Sequence, residues 1–123
     1  MQPANILVAD DDAVARDLLA EALKKEGYVV EAFASGEEVI ARGRQGKVDL
    51  VLTDIRMGAV DGLTVLREFK QMSPDTAVVV LTSFGSLEGA IEAIKQGAYD
   101  YLAKPFKKED IKLVVKQIGR AHV

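Results

Sequence analysis

The chain has no cysteine, a single histidine and only three prolines. Without cysteine there is neither a disulfide framework nor a thiolate metal site. The one histidine, His122, is the next-to-last residue of the sequence, where chain ends fray, and it is assigned no role. No apolar run approaches the roughly 20 residues needed to span a bilayer. The N-terminus lacks the charged start and apolar core of a signal peptide. A cytoplasmic protein without membrane contact is the simplest expectation. Positive charge is also in short supply: 16 Lys and Arg face 19 Asp and Glu, for a net charge of −3. Direct nucleic acid binding, which needs clustered positive charge, is not expected of such a chain. From Lys104 to Arg120 there are six basic residues against Glu109 and Asp110, a pattern that fits a solvated helix face. No long polar block occurs and 49% of the residues are hydrophobic, which argues against disorder. A chain of 123 residues suits one domain over 1–123, large enough to bury about two thirds of its unfolded surface.

Within that frame, short apolar runs alternate with helical patterns. Ile6 to Ala9 reads as a buried strand. Val14, Leu18, Leu19, Ala22 and Leu23 form a helical stripe, which Gly27 stops. Tyr28 to Phe33 reads as a second strand, and Ser35 with Glu38 as a capping box opening a short helix. Leu50 to Thr53 is a third strand and Leu63 to Met72 a third helix, broken by Ser73-Pro74-Asp75. Ala77 to Leu81, Leu87 to Gln96, Tyr99 to Ala103 and Lys107 onward complete five strand–helix units. Such alternation implies a parallel sheet with helices on both faces, its strands apolar on both sides. Ligands of open sheets of this kind bind beyond the carboxyl ends of the strands.

The first strand ends in Asp10, Asp11 and Asp12. Asp12 is best explained as a helix N-cap. Asp10, Asp11, Asp54, Thr82 and Lys104 all fall at carboxyl ends of strands. If the first and third strands are neighbours, Asp10, Asp11 and Asp54 converge. Two carboxylates about 4 Å apart repel by roughly 4 kcal/mol at an effective dielectric near 20. A hard divalent cation relieves this, and oxygen-only ligands suit Mg²⁺. With Lys104 on the opposite side and the Thr82 hydroxyl, these are the parts that clamp a phosphoryl group during transfer.

The motifs Val8-Ala9-Asp10-Asp11, Leu52-Thr53-Asp54-Ile55-Arg56-Met57, Asp61-Gly62, Leu81-Thr82-Ser83 and Leu102-Ala103-Lys104-Pro105-Phe106 stand in order along the chain. In these the sequence resembles the CheY-like receiver domains of two-component response regulators. The resemblance implies a flavodoxin-like (βα)5 fold, doubly wound, with a parallel five-stranded sheet in the order 2-1-3-4-5. It implies that Asp54 is the phosphoacceptor, supplied by a sensor histidine kinase or a phosphotransfer protein. Asp11, Asp54 and the backbone carbonyl of Arg56 would bind Mg²⁺ directly, and Asp10 through water. Thr82, Ser83 and Lys104 would hold the phosphoryl oxygens, and Lys104-Pro105 would be a cis peptide bond. Thr82 and Tyr101 would act as a switch that changes the exposed face of helix 4, strand 5 and helix 5, a face suited to a homodimer. The catalysis expected is limited to the domain's own phosphoryl transfer and slow autodephosphorylation. A bulky Phe84 suggests slow loss of the phosphate. Gly58 stands where the family often has proline, so the loop is expected to be more flexible.

Two other classes compete. A Mg²⁺-dependent phosphatase with an aspartyl nucleophile would place an acid two residues after Asp54, where this chain has Arg56. A flavin-binding domain of similar topology needs a Ser/Thr/Gly-rich phosphate loop after strand 1, where the acids Asp10 to Asp12 stand. Residues 82–86 and 97–102 resemble receivers of NtrC-type transcriptional regulators. An excised regulatory domain and a stand-alone phosphorelay carrier both fit.

Overall fold

The computed structural model describes residues 4–83 and 87–121. Strands and helices alternate: β1 Asn5–Ala9, α1 Ala13–Lys25, β2 Val29–Phe33, α2 Gly36–Gly43, β3 Leu50–Asp54, α3 Gly62–Met72, β4 Ala77–Thr82, α4 Leu87–Lys95, β5 Asp100–Ala103 and α5 Lys108–Ala121. All strand pairs are parallel, in the order β2-β1-β3-β4-β5. The (βα)5 doubly wound architecture and its strand order are those expected. Among the described residues no helix is long and apolar enough to cross a membrane. The expectations for Phe84 and His122 lie outside the described residues.

Period-two alternation sorts the strand side chains into two cores. Ile6, Val8, Leu50, Leu52 and Leu81 pack with Leu19 and Leu23 of α1 and Ile111 and Val115 of α5. Leu7, Ala9, Val51 and Val80 pack with Val39 of α2, Leu66 and Phe69 of α3 and Ala93 of α4. The central strands β3 and β4 are buried at every residue. The expectation of burial on both sides fails at the edges. In β2, Val29 is exposed, and in β5 only Leu102 is buried, because each edge strand has one unpaired side and incomplete helix cover. Tyr28 and Tyr99 fall just outside their strands, although the Tyr99 amide still donates to the Val78 carbonyl at 2.8 Å.

Helix ends follow their capping residues. Ser35 opens α2, its hydroxyl accepting from the Glu38 amide at 3.3 Å and donating to the Glu38 carboxylate at 3.0 Å. Register then levels the rim. Ala9 is opposite Thr53, Asp54 opposite Leu81, and Thr82 opposite Ala103. Asp10, Asp54, Thr82 and Lys104 therefore meet along one edge of the sheet.

Burial sets the energetic hierarchy. Leu66→Ala empties a fully buried site and is expected to cost about 2–5 kcal/mol in urea unfolding. Leu113→Ala, at a position 59% exposed, is expected to stay within about 0.5 kcal/mol. Equal losses at the two positions would overturn this assignment of the core.

Candidate functional site

The three acids after β1 have three different environments. Asp10 is fully buried. Its amide donates to the Phe33 carbonyl at 3.1 Å, and its Oδ1 accepts from the Asp12 amide at 2.9 Å. Asp11 is exposed. Asp12 is the N-cap of α1, its Oδ1 accepting from the Val14 amide at 3.0 Å, as expected of it.

Asp54, the last residue of β3, is 7% exposed. One of its oxygens accepts from the Arg56 amide at 3.3 Å and the other from Lys104 Nζ at 3.0 Å. Lys104 Nζ also lies 2.8 Å from Asp10 Oδ2. This corrects the placement of Lys104 opposite the acids: its ammonium bridges Asp10 and Asp54. The approach to Asp10 Oδ2 is off the hydrogen-bonding direction, so that buried oxygen is held by charge and has no hydrogen bond. Carboxylate oxygens of Asp10, Asp11 and Asp54 all lie within 4.8 Å of one another.

Burial raises the Asp54 carboxyl above its ordinary value of 3.8, and the negative charge of Asp10 adds to the rise, against the opposing bond from Lys104. For Lys104, burial is the largest single influence and favours the neutral amine. Its close pairing with Asp10 and Asp54 outweighs burial and raises it above 10.5, so it stays an ammonium.

The remaining expected residues are split between two sides. Thr82 is buried and Ser83 exposed, and both line a cleft of about 460 Å³ with Asp54, Arg56, Glu88 and Gly89. The Arg56 side chain is exposed, which leaves its backbone as the part tied to Asp54. Lys104-Pro105 is cis. Tyr101 is 40% exposed, its ring on the surface.

The loop after β3 explains two glycines. Gly58 has φ +50°, a left-handed conformation that proline, locked near −65°, cannot adopt. At Gly62 a Cβ would collide with the Asp54 carbonyl and lie 2.8 Å from Ile55 Cα, so the start of α3 packs directly beneath the Asp54 backbone. Asp61 caps α3, accepting from the amide and hydroxyl of Thr64, both at 2.9 Å. One residue near the site carries no sequence signal. Arg16, six positions after Asp10, donates from Nη1 to the Asp10 carbonyl at 2.9 Å.

The chain matches the family model described as "Response regulator receiver domain" over residues 6–116. It is 43% identical over 101 residues to the transcriptional regulatory protein ZraR of Salmonella typhimurium, which covers 82% of this chain and 23% of that protein. It is 40% identical over 121 residues to the DNA-binding transcriptional regulator NtrC of the same organism, covering 98% of this chain and 25% of that one. The chain thus spans about a quarter of the length of these regulators. The crystal structure of the NtrX receiver domain from Brucella abortus matches with a TM-score of 0.88 at 36% identity, covering 92% of this chain and 96% of that one.

The pH dependence of stability follows from the raised Asp54 carboxyl. A group held above its unfolded value of 3.8 contributes stability below that pH and loses it as pH rises through the folded value. Without divalent cations, Asp54→Asn is therefore expected to melt a few degrees higher than wild type at pH 7. The gain should vanish as pH falls toward 3.8. Melting curves in chelator at both pH values check this, and a wild type more stable at pH 7 would count against it.

Proposed function

The chain belongs to the response regulator receiver domain family, and from that premise we propose that it accepts a phosphoryl group on Asp54 from a sensor histidine kinase or a phosphotransfer protein. The observation that carries this reading is the rim where Asp10, Asp11 and Asp54 bring their oxygens within 4.8 Å of one another while Lys104 bridges two of them. The donor set fits Mg²⁺: it is all oxygen, it carries more negative than positive charge, and it includes a buried Asp10 oxygen without a hydrogen bond. Asp10, Asp11 and Asp54 would hold the ion, with the backbone of Arg56 beside them. When bound, the ion supplies positive charge to the oxygens of the group being transferred.

The chain's own residues perform the rest. An Asp54 oxygen forms a bond to phosphorus as the phosphorus–nitrogen bond of the donor breaks and the imidazole leaves. Lys104, fixed as an ammonium between Asp10 and Asp54, is placed to take up the phosphoryl oxygens. Thr82 and Ser83 border the same cleft and supply hydroxyls on its far side. An apolar hollow of about 320 Å³, lined by Val14, Ala15, Leu18, Pro105 and Phe106, adjoins Lys104 and suits a histidine-bearing helix of the donor.

The output is a change of surface. Leu87, Ile91 and Ile94 of α4, Tyr101 of β5 and Leu113 of α5 are exposed apolar side chains. Movement of Thr82 toward the phosphoryl group and of Tyr101 inward would remodel the face made by α4, β5 and α5. That face then serves a homodimer or an output domain in the cytoplasm, and the relatives' names as transcriptional regulators support transcriptional control as the output. With a net charge of −3, this domain itself does not contact nucleic acid. It is a phosphorylated signalling domain, and its catalysis extends to its own phosphoryl transfer and slow autodephosphorylation.

Mass spectrometry after incubation with acetyl phosphate and Mg²⁺ tests the proposal. Wild type is expected to gain one phosphoryl group, Asp54→Asn none, and Asp11→Asn far less than wild type. Lys104→Ala is expected to be labelled without any change in assembly. Sustained turnover of a phosphomonoester by wild type would instead support the aspartyl phosphatase.

A further inference from the structure

Arg16 is a half-buried residue in the first turns of α1, and its own amide bonds to the Asp12 carbonyl at 2.9 Å. Its side chain runs back over the helix start to the end of β1, where Nη1 donates to the Asp10 carbonyl at 2.9 Å. We propose that Arg16 is a positioning residue for the acidic rim, holding the Asp10–Asp11 peptide so that both carboxylates face the cation position. The inference rests on the cation-binding reading given above and deepens it.

The case is geometric. Asp10 has its amide on Phe33, its Oδ1 on Asp12 and its carbonyl on Arg16. Its other carboxylate oxygen, Oδ2, has no hydrogen bond and lies 2.8 Å from Lys104 Nζ. The carbonyl that Arg16 holds belongs to the planar peptide unit that also contains the Asp11 amide and Cα. Fixing that plane fixes the Asp11 Cα and leaves rotation about its N–Cα bond as the main-chain freedom that directs the side chain. Asp11 is exposed, so burial does not restrain it, and its backbone is the handle available. Arg suits this task because its guanidinium is planar, permanently charged and rigid at its tip.

Charge and position act in opposite directions here, and the sign separates them. Arg16 is a cation near a site for another cation. If it acted through charge alone, neutralising it would tighten Mg²⁺ binding. If it acts by holding the peptide, neutralising it weakens binding. Groups behind metal ligands typically contribute 10–100-fold to affinity, and a backbone contact belongs at the low end, about tenfold.

The test is calorimetric titration of the chain with Mg²⁺ alone, at a temperature where circular dichroism shows each variant folded. Arg16→Met is expected to raise the Mg²⁺ Kd about tenfold, and Arg16→Lys by less, since it keeps a charge and a donor. Arg16→Gln takes the place of Arg16→Met should the latter not fold, with the same expectation. An unchanged or lower Kd for the neutral variant overturns the inference, as does a loss of melting temperature with no change in Kd. If wild type itself binds no Mg²⁺, the cation-binding reading falls and takes this one with it. If wild type binds, Asp11→Asn does not, and Arg16→Met matches wild type, the positioning role alone falls.

Discussion

One ammonium shared between two buried carboxylates is the interaction on which the rim depends. Lys104 Nζ lies 2.8 Å from Asp10 and 3.0 Å from Asp54, with the exposed Asp11 beside them. The local balance is three acids to one lysine, so the site is left with unneutralised negative charge. At an effective dielectric near 20, two carboxylates about 4 Å apart repel by roughly 4 kcal/mol, which is comparable to much of a domain's net stability. Burial makes it worse for Asp54 and raises its carboxyl. The chain tolerates this because the two apolar cores on either side of the sheet fix β1 and β3 as neighbours. A group that attracts cations and can accept an electrophile on Asp54 is the chemical consequence.

The alternation of the strands divides the work between the two faces. Asp10 continues the parity of Ile6 and Val8, Asp54 that of Leu50 and Leu52, and Lys104 that of Leu102. All of those apolar residues belong to the core under α1 and α5. Thr82 has the parity of Val78 and Val80, which belong to the core under α2, α3 and α4. The charged cluster therefore forms on one side of the sheet edge and the hydroxyl on the other, where the cleft runs toward Glu88 and Gly89 of α4. An event at Asp54 has a short route to α4 because Asp54 and Thr82 lie on adjacent strands, one register step apart.

Much of this was legible in the residues. Continuous apolar runs marked the central strands, and the position of Asp12 just before a helical stripe marked it as a cap, which it is. Period two also carries the shared parity of Asp10, Asp54 and Lys104. Strand order was not contained in spacing; it came from resemblance, and the convergence of Asp54 on Asp10 required it. The edge strands were read as too buried because apolar composition does not reveal how many sides of a strand are covered. The bridge from Lys104 to Asp10 joins residues whose strands are separated by β3 and β4, which sequence spacing does not reveal. Arg16 was invisible for a related reason, since six residues matches neither helical nor strand periodicity and the contact goes to backbone. Gly58 departs from the family pattern, but the cause, a left-handed backbone, is a property of φ and not of residue type.

The exposed apolar surface has its own logic. Of the eight large hydrophobic residues left exposed among those described, six lie from Leu87 onward, in or beside α4, β5 and α5. Scattered exposed apolar residues are ordinary, and it is their grouping toward α4, β5 and α5 on which the proposed contact face rests. The rim and this face are joined by β4 and by the start of α4. Under the proposed function, a phosphoryl group at the rim would shift an equilibrium between two arrangements of that face only by the difference in its contacts between them. Asp54 is already tied to Lys104 and to the backbone of Arg56. Thr82 borders the 460 Å³ cleft, which Glu88 and Gly89 of α4 also line. Under the proposed function, Thr82 and the space between it and α4 would supply the contact that differs between the two arrangements.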